Sequence, residues 1–427
     1  MTAPTAVDLF AGAGGASLGL VQAGFDLRLA AEIDPSYAAT HEANLPGLVV
    51  RGDLREQDAA ALPDLAGVEP GVLDLLFAGP PCQGFSAIGP RVVWDPRNNL
   101  FREVLRATAA LRPRAVVIEN VPGLVTLAKG AYLRSILAGL AEAGYDAACA
   151  ELLAAQYGAP QMRWRLVIVG WRRDLAIGPG HGFPAPTHGS VAVGDLLPNV
   201  TVPPHAYDGL LTLRDAIGDL PPVEAGGTNN RYQGRPAAGF QRTARTRPDG
   251  TLMRAPELHD HDAPAMSPQN LARIRALKPG QDWRDLPRDL LPPSMQRALL
   301  KDHTRRYRRM TWDGVPRAVI TRFRDPKSGE YTHPDQDRTI TIREASRIQG
   351  FPDWFAFSGT RASRYEQVGN AVPVPLARAI GREVLRCLQD QPGERLVDAF
   401  RRRPVPLLGR YGELATDVPA PLGADVA

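Results

Sequence analysis

Six short apolar runs divide the first 170 residues at intervals filled by helical patterns. They are AVDLF (6–10), LRLAAEI (27–33), LVV (48–50), LDLLFAG (73–79), AVVIEN (115–120) and LVIVGW (166–171). Stretches such as ASLGLVQAG and LFREVLRATAAL lie between them, and their apolar spacing suits helices. Strands alternating with helices at this interval predict an α/β fold with a mostly parallel sheet, covered on both faces. Sheets of this kind bind ligands at the C-terminal ends of their strands. The unusual residues of this chain fall at those ends.

The pattern lapses over 172–335, which is rich in Pro, Gly and Asp and has few long periodic segments. It returns near residue 339: TITIREASRIQGF reads as a strand or turn leading into a helix, and VGNAVPVPLARAIGREVLRCLQ as a turn followed by an amphipathic helix. Gly and Pro together make 81 of 427 residues. That fraction is above the usual ~12% but below the ~25–30% of disordered chains, so a folded, loop-rich chain is expected. The boundaries expected are 1–171, 172–335, 336–392 and an extension over 393–427. The extension carries Arg401, Arg402 and Arg403 among prolines and reads as solvated.

Cys82, Cys149 and Cys387 are too few, and odd in number, for a disulfide framework, which suggests a reducing, cytoplasmic setting. MTAPTAVDLF has no basic leader region, and no apolar run approaches membrane-spanning length. The net charge is only +4, but it is uneven: residues 171–340 sum to +6 and the remainder to −2. Arginines number 46 against four lysines, a bias that nucleotide composition alone can produce.

Several segments carry the chemistry. In Asp8-Leu-Phe10-Ala11-Gly12-Ala-Gly14-Gly15, a glycine-rich turn follows the first strand, so the backbone can approach a ligand closely. The dinucleotide fingerprint is not met, and no Lys or Arg lies close by to meet a pyrophosphate. The second strand ends at Glu32-Ile33-Asp34, where an acid can hold ribose hydroxyls. The combination suits a nucleoside without phosphates, such as S-adenosylmethionine. In Gly79-Pro80-Pro81-Cys82-Gln83-Gly84-Phe85-Ser86, two prolines fix the backbone at a strand end and present Cys82 there. Cys149 and Cys387 read instead as inert, buried small hydrophobes.

Glu119-Asn120-Val121-Pro122-Gly123 sets a carboxylate at another strand end, as a general acid or, taken alone, a helix cap. In Gln161-Met-Arg163-Trp-Arg165, strand alternation would put three polar side chains on one face, suited to a planar ligand. Arg343, Glu344 and Arg347 read as a structural ion pair at a domain junction. Gly369-Asn370-Ala371-Val372-Pro373 caps the last helix or lines the cofactor pocket.

In order, DLFAGAGG, EID, Gly52-Asp53, GPPCQGFS, ENVPGL, QMRWR, REASRIQGFP and GNAVP resemble the motifs of DNA (cytosine-5)-methyltransferases of the bacterial restriction-modification type. The resemblance spans about 5–390 except for 172–335. It implies a Rossmann-like S-adenosylmethionine-dependent methyltransferase domain. A smaller, irregular target-recognition domain would be inserted before the C-terminal segment. Cys82 would attack cytosine C6, Glu119 would act at N3, and Arg165 with Arg163 would hold the base at O2. Phe10 and Ile33 would sandwich the adenine. Asp53, followed by Leu54, would meet its amino group, and Glu32 would hold the ribose. The turn Ala11, Gly12, Gly14, Gly15 would surround the methionine end with Pro80, Asn370 and Val372. No metal is implied.

The resemblance further implies a double-stranded DNA substrate whose target base is flipped out. A catalytic loop over 86–100 is expected, with Gln83, Ser86, Arg97 and Gln161 at the DNA. Nine cations within 297–324 would offer a phosphate and base-edge surface. A monomer is expected, with room for a companion restriction endonuclease that acts on the same site without stable contact. A tRNA methyltransferase and a catalytically dead DNA-binding regulator are the competing classes. The long basic region argues against the first, and intact Cys82, Glu119 and Arg165 against the second.

Overall fold

A computed structural model describes residues 3–81, 100–125, 130–175, 177, 181–189, 209–237, 239–298 and 305–389. Cys82, Gln83, Ser86 and Arg97 lie outside the described residues, as does the 393–427 extension. The chain divides into two compact units. The first comprises 1–158, 164–209 and 372–427, the second 159–163 and 210–371.

The first unit is built on a seven-stranded sheet of order β3-β2-β1-β4-β5-β7-β6. Its strands are β1 Thr5–Leu9, β2 Asp26–Glu32, β3 Leu48–Arg51, β4 Leu75–Ala78, β5 Ala115–Asn120, β6 Tyr145–Leu153 and β7 Trp164–Arg172. β1 to β5 pair in parallel, whereas β7 runs antiparallel to both β5 and β6. The six apolar runs thus become strands. β6 was not foreseen: its YDAACAELL lacks β-branched residues, and its partner β7 supplies the ordering force.

Helices α1 Gly15–Ala23, α2 Pro35–Asn44, α3 Leu62–Ala66, α4 Phe101–Leu111 and α5 Ala131–Glu142 connect these strands. Val7, Leu9, Leu29, Leu76, Val116 and Ile118 pack in one core with Leu62 of α3, Val104 of α4 and Leu137 of α5. In the second unit the helices are α6 Leu213–Ile217, α7 Gly239–Arg245, α8 Pro268–Arg275, α9 Pro293–Ala298, α10 Ile342–Ile348 and α11 Arg361–Asn370. The last helix, α12 Val374–Leu388, belongs to the first unit. Its long apolar face buries Leu376, Ile380 and Val384. No described helix is long and apolar enough to cross a membrane.

Strand order reverses at β1: β2 lies to one side of it, β4 to the other. The glycine turn after β1 and the Pro80–Pro81 step after β4 therefore flank the crevice where such sheets bind ligands. Gly14 caps α1 with a φ of 97°, and a side chain there would collide with Leu45 Cδ1 at 2.5 Å. Gly19 lets α1 and α12 approach: an added Cβ would fall 2.6 Å from Ala377 Cβ and 2.7 Å from the Val374 carbonyl oxygen. Gly19→Val should force these helices apart and cost about 2–3 kcal/mol by overpacking. Urea denaturation measures the loss, and an unchanged midpoint would contradict the close approach.

Candidate active site

Glu119 sits near the end of β5, and Arg165 is the second residue of β7. Because β7 is antiparallel, it begins at the edge where β5 ends, with Glu119 opposite Val167. Arg165 Nε lies 2.6 Å from Glu119 Oε1, and both side chains are nearly buried. Burial pulls the Arg165 guanidinium below its ordinary pKa, and Glu119 opposes this. Arg165 also donates to the Trp164 carbonyl at 2.7 Å. The ion pair is close, although its N–H···O alignment falls short of a well-formed hydrogen bond at Glu119 Oε1. Asn120 Nδ2 donates to the Pro80 carbonyl at 3.3 Å, tying the step that leads to Cys82 to the end of β5.

On the other side of the crevice, Gly12 N–H donates to Glu32 Oε2 and Asp34 N–H to Glu32 Oε1, both at 2.8 Å. Burial raises the Glu32 pKa against these two hydrogen bonds. Asp34 caps α2, accepting from the Ser36 and Tyr37 amides. Phe10 adopts a φ of 58°, unusual for a non-glycine residue, directly before the turn. Gly12 has a φ of 59° and nothing within 4 Å of where a Cβ would stand. Ile33 presents an apolar side chain to solvent, 61% exposed. Asp53 pairs with Arg55, whose hydrogen bonds hold its carboxyl below the ordinary range, and Leu54 is buried beside it. Ala11, Gly14, Gly15 and Pro80 are buried around the crevice, and Val372 is half-buried before α12.

One buried chain at this crevice went unremarked in the sequence. Ser17 Oγ donates to Asp8 Oδ2 at 2.6 Å, and His41 Nε2 lies 2.8 Å from Ser17 Oγ. The signal was an acid inside the apolar run AVDLF.

Gln161 and Arg163 behave differently from Arg165. The strand begins only at Trp164, because Met162 N–H is already committed to the Pro316 carbonyl. The three side chains therefore do not share a strand face. Gln161 and Arg163 belong to the second unit. Gln161 donates to Gln349 Oε1 and the Ile348 carbonyl, and its own Oε1 accepts from Val319 N–H. Arg163 donates to the carbonyls of Val319, Gly369 and Ala371. It thereby fixes the segment around the exposed Asn370.

The second unit holds a buried ionic core. Arg338 makes a two-pronged pair with Glu344 at 2.7 Å on each oxygen. Arg347 pairs with Asp219 and, at 2.6 Å, with Asp353, to which Tyr232 also donates. Arg343 donates to the carbonyls of His259, Pro352 and Phe355. Within the basic stretch, Arg309 is likewise spent on carbonyls and Asp337, while Arg305 and Arg308 meet Glu330. Arg322 and Arg324 are exposed, and Arg324 lines a groove of about 430 Å³ with Lys327, Arg361 and Asn270.

The family model for C-5 cytosine-specific DNA methylases matches residues 5–386. The type II methyltransferase M.XorII of Xanthomonas oryzae pv. oryzae is 32% identical, over 92% of this chain and 87% of its own. The type II methyltransferase M1.HphI of Haemophilus parahaemolyticus is 34% identical, over 90% of this chain and 87% of its own. A structure titled as a DNA modification methyltransferase encoded within an Escherichia coli prophage covers 90% of this chain and 99% of its own. Its TM-score is 0.65 at 24% identity, which places the fold. The fold is thus that of S-adenosylmethionine-dependent methyltransferases. The chain belongs to the C-5 cytosine-specific DNA methylase family: it is a DNA (cytosine-5)-methyltransferase, with DNA as substrate and S-adenosylmethionine as cofactor.

The ionic core has a pH signature. Arg338 overcomes the burial of Glu344 and holds its carboxyl far below the usual range. Burial lowers His333 to about 4. Both depressed values stabilise the fold above the unfolded pKa of each group, and that contribution is lost as pH falls through the folded value. Stability should therefore decline from about pH 6 downward, first through His333 and then through Glu344. Arg338→Met, which strands Glu344, should cost about 3–5 kcal/mol at pH 7. Denaturation midpoints between pH 7 and 4 measure both effects, and a flat profile would contradict them.

Proposed function

We propose that the chain methylates C5 of a cytosine flipped out of a specific double-stranded DNA sequence, through a covalent bond between Cys82 and C6. The observation that carries this reading is the buried Glu119–Arg165 pair, set at the same sheet edge as the Pro80–Pro81 step that leads into Cys82.

Cytosine C5 is too weak a nucleophile to take a methyl group unaided. The Cys82 thiolate adds to C6, forming a C–S bond and moving the C5–C6 electron pair toward C5. Glu119 supplies a proton or hydrogen bond at N3, so the ring accommodates that charge. Arg165 remains paired with Glu119 and reaches toward O2, and Arg163 positions the neighbouring chain. S-adenosylmethionine, when bound, supplies an electrophilic methyl group on a sulfonium. After C5 has taken the methyl it loses its proton to a base, the C–S bond breaks and the Cys82 thiolate is restored.

The residues at the crevice fit that cofactor. Glu32 is aimed by backbone amides rather than by a cation, Gly12 leaves open space, and Ile33 offers an exposed apolar side chain for the adenine opposite Phe10. Asp53 and Leu54 would meet the adenine edge. The Ala11–Gly15 turn, Pro80, Asn370 and Val372 would enclose the methionine end. Residues 172–335 would recognise the target sequence, with Arg322, Arg324 and Lys327 as phosphate contacts. Gln83, Ser86 and Arg97 would act from the loop after Cys82. The enzyme would work as a monomer in the cytoplasm, at the nucleoid. A restriction endonuclease of the same specificity would make no stable complex with it.

Cys82→Ala should abolish transfer of labelled methyl to DNA while leaving the fold and binding of S-adenosylhomocysteine intact. DNA carrying 5-fluorocytosine at the target should be trapped covalently, because fluorine cannot leave as the C5 proton does. Full activity in Cys82→Ala, or transfer to tRNA alone, would overturn the reading.

A further inference from the structure

Asp8, Ser17 and His41 come from β1, α1 and α2, and all three are almost wholly buried, at 1%, 0% and 0% exposure. Val7 and Leu9 face the core formed with α3 to α5, so Asp8 points to the opposite side of the sheet, where α1 begins. Ser17 has one hydroxyl proton, and its 2.6 Å contact with Asp8 Oδ2 uses it. The hydroxyl oxygen is then free to accept from His41 Nε2–H at 2.8 Å. This assigns the Nε2–H tautomer and leaves Nδ1 without a proton. His41 Nδ1 and Asp8 Oδ1 are both buried without a hydrogen-bond partner.

A polar chain kept only for packing would satisfy itself, because unpaired buried polar atoms cost stability. This chain satisfies everything except its two ends. His41 is also packed at the glycine turn: a Cβ on Gly14 would stand 3.0 Å from its Cδ2. The free end of Asp8 lies within electrostatic reach of Glu32 and Glu119, the acids at the two sides of the crevice.

We propose that Ser17 and His41 are positioning residues of the cofactor site: their hydrogen-bonded chain fixes the Asp8 carboxylate beneath the glycine turn, with Oδ1 held open as an acceptor for the donor-bearing end of the cofactor. This rests on the reading of the crevice as the S-adenosylmethionine site. Burial raises Asp8 to about 7, while the Ser17 hydroxyl and amide pull the other way, and Glu32 and Glu119 add to the rise. α1 and β4 bring no charged side chain to it, and burial holds His41 neutral, lowered to about 4. Asp8 therefore changes charge in the working range, and the Ser17 bond sets where.

Calorimetric titration of the full chain with S-adenosylhomocysteine from pH 6 to 9 tests this, since that ligand binds without reacting. In the parent, affinity should fall as the pH drops through about 7. Ser17→Ala removes a bond that lowers the Asp8 pKa, so the midpoint should move up by about one unit. Affinity would then be about fivefold weaker at pH 7 and nearly restored at pH 9. His41→Leu should shift the profile in the same direction, and His41→Gln, which keeps a donor in place of Nε2, should restore it. Asp8→Asn should flatten it. An equal loss at every pH in Ser17→Ala would mark a merely structural role and overturn the proposal. Failure of the parent to bind S-adenosylhomocysteine at any pH would overturn the underlying reading of the crevice as well.

Discussion

One reversed strand sets the chemistry of the first unit. β7 enters between β5 and β6 and runs against β5, with Asn120 opposite Leu166. Its first residues consequently lie where the parallel strands end. Were β7 parallel, Arg165 would stand at the far edge, some six residues or about 20 Å away along the strand direction. The reversal instead delivers a guanidinium to Glu119 across 46 positions of sequence. Once there, the pair is obligatory. Both side chains are nearly buried, and removing one would leave the other without its partner.

Arginine serves opposite purposes in this chain, and composition cannot separate them. Arg338, Arg343 and Arg347 have no exposure, and their donors go to carboxylates and carbonyls that hold α10 against α6 and the segment around Asp353. Arg309 does the same for the loops near residue 335. A cation count over 297–324 includes Arg309 alongside the exposed Arg322 and Arg324. What distinguishes them is the carbonyl or carboxylate each meets, 25 to 130 residues away in several cases, and a local window does not contain that information.

The same limit explains which parts of the fold and site could be read directly. β1 to β5 announce themselves because each is an apolar run with turn residues at its end. β6 does not, since its Ala-rich sequence becomes a strand through pairing with β7. Charges at helical spacing suggest that Arg343, Glu344 and Arg347 pair with one another, and they do not: each turns to a partner off its own helix. The real partners, Asp219, Arg338 and Asp353, were not legible, because Asp219 belongs to a separate helix-bearing segment. Gln161, Arg163 and Arg165 look alike by alternation. A single backbone bond from Met162 to Pro316 ends that equivalence, leaving only Arg165 on the strand.

The crevice gathers three carboxylates, with Asp8 in electrostatic range of both Glu32 and Glu119. Like charges this close must be neutralised separately or they would destabilise one another. Each is handled by different chemistry. Glu119 has a cation. Glu32 has two backbone amides, which orient it without occupying the space a ligand needs. Asp8 has a hydroxyl and a burial so complete that a proton becomes competitive near neutral pH. Among the described residues the hydrogen-bond partners of Glu32 and Asp8 are amides and a hydroxyl, with no cation. A cationic ligand such as a sulfonium is attracted there, whereas a phosphate-bearing nucleotide of similar shape is repelled.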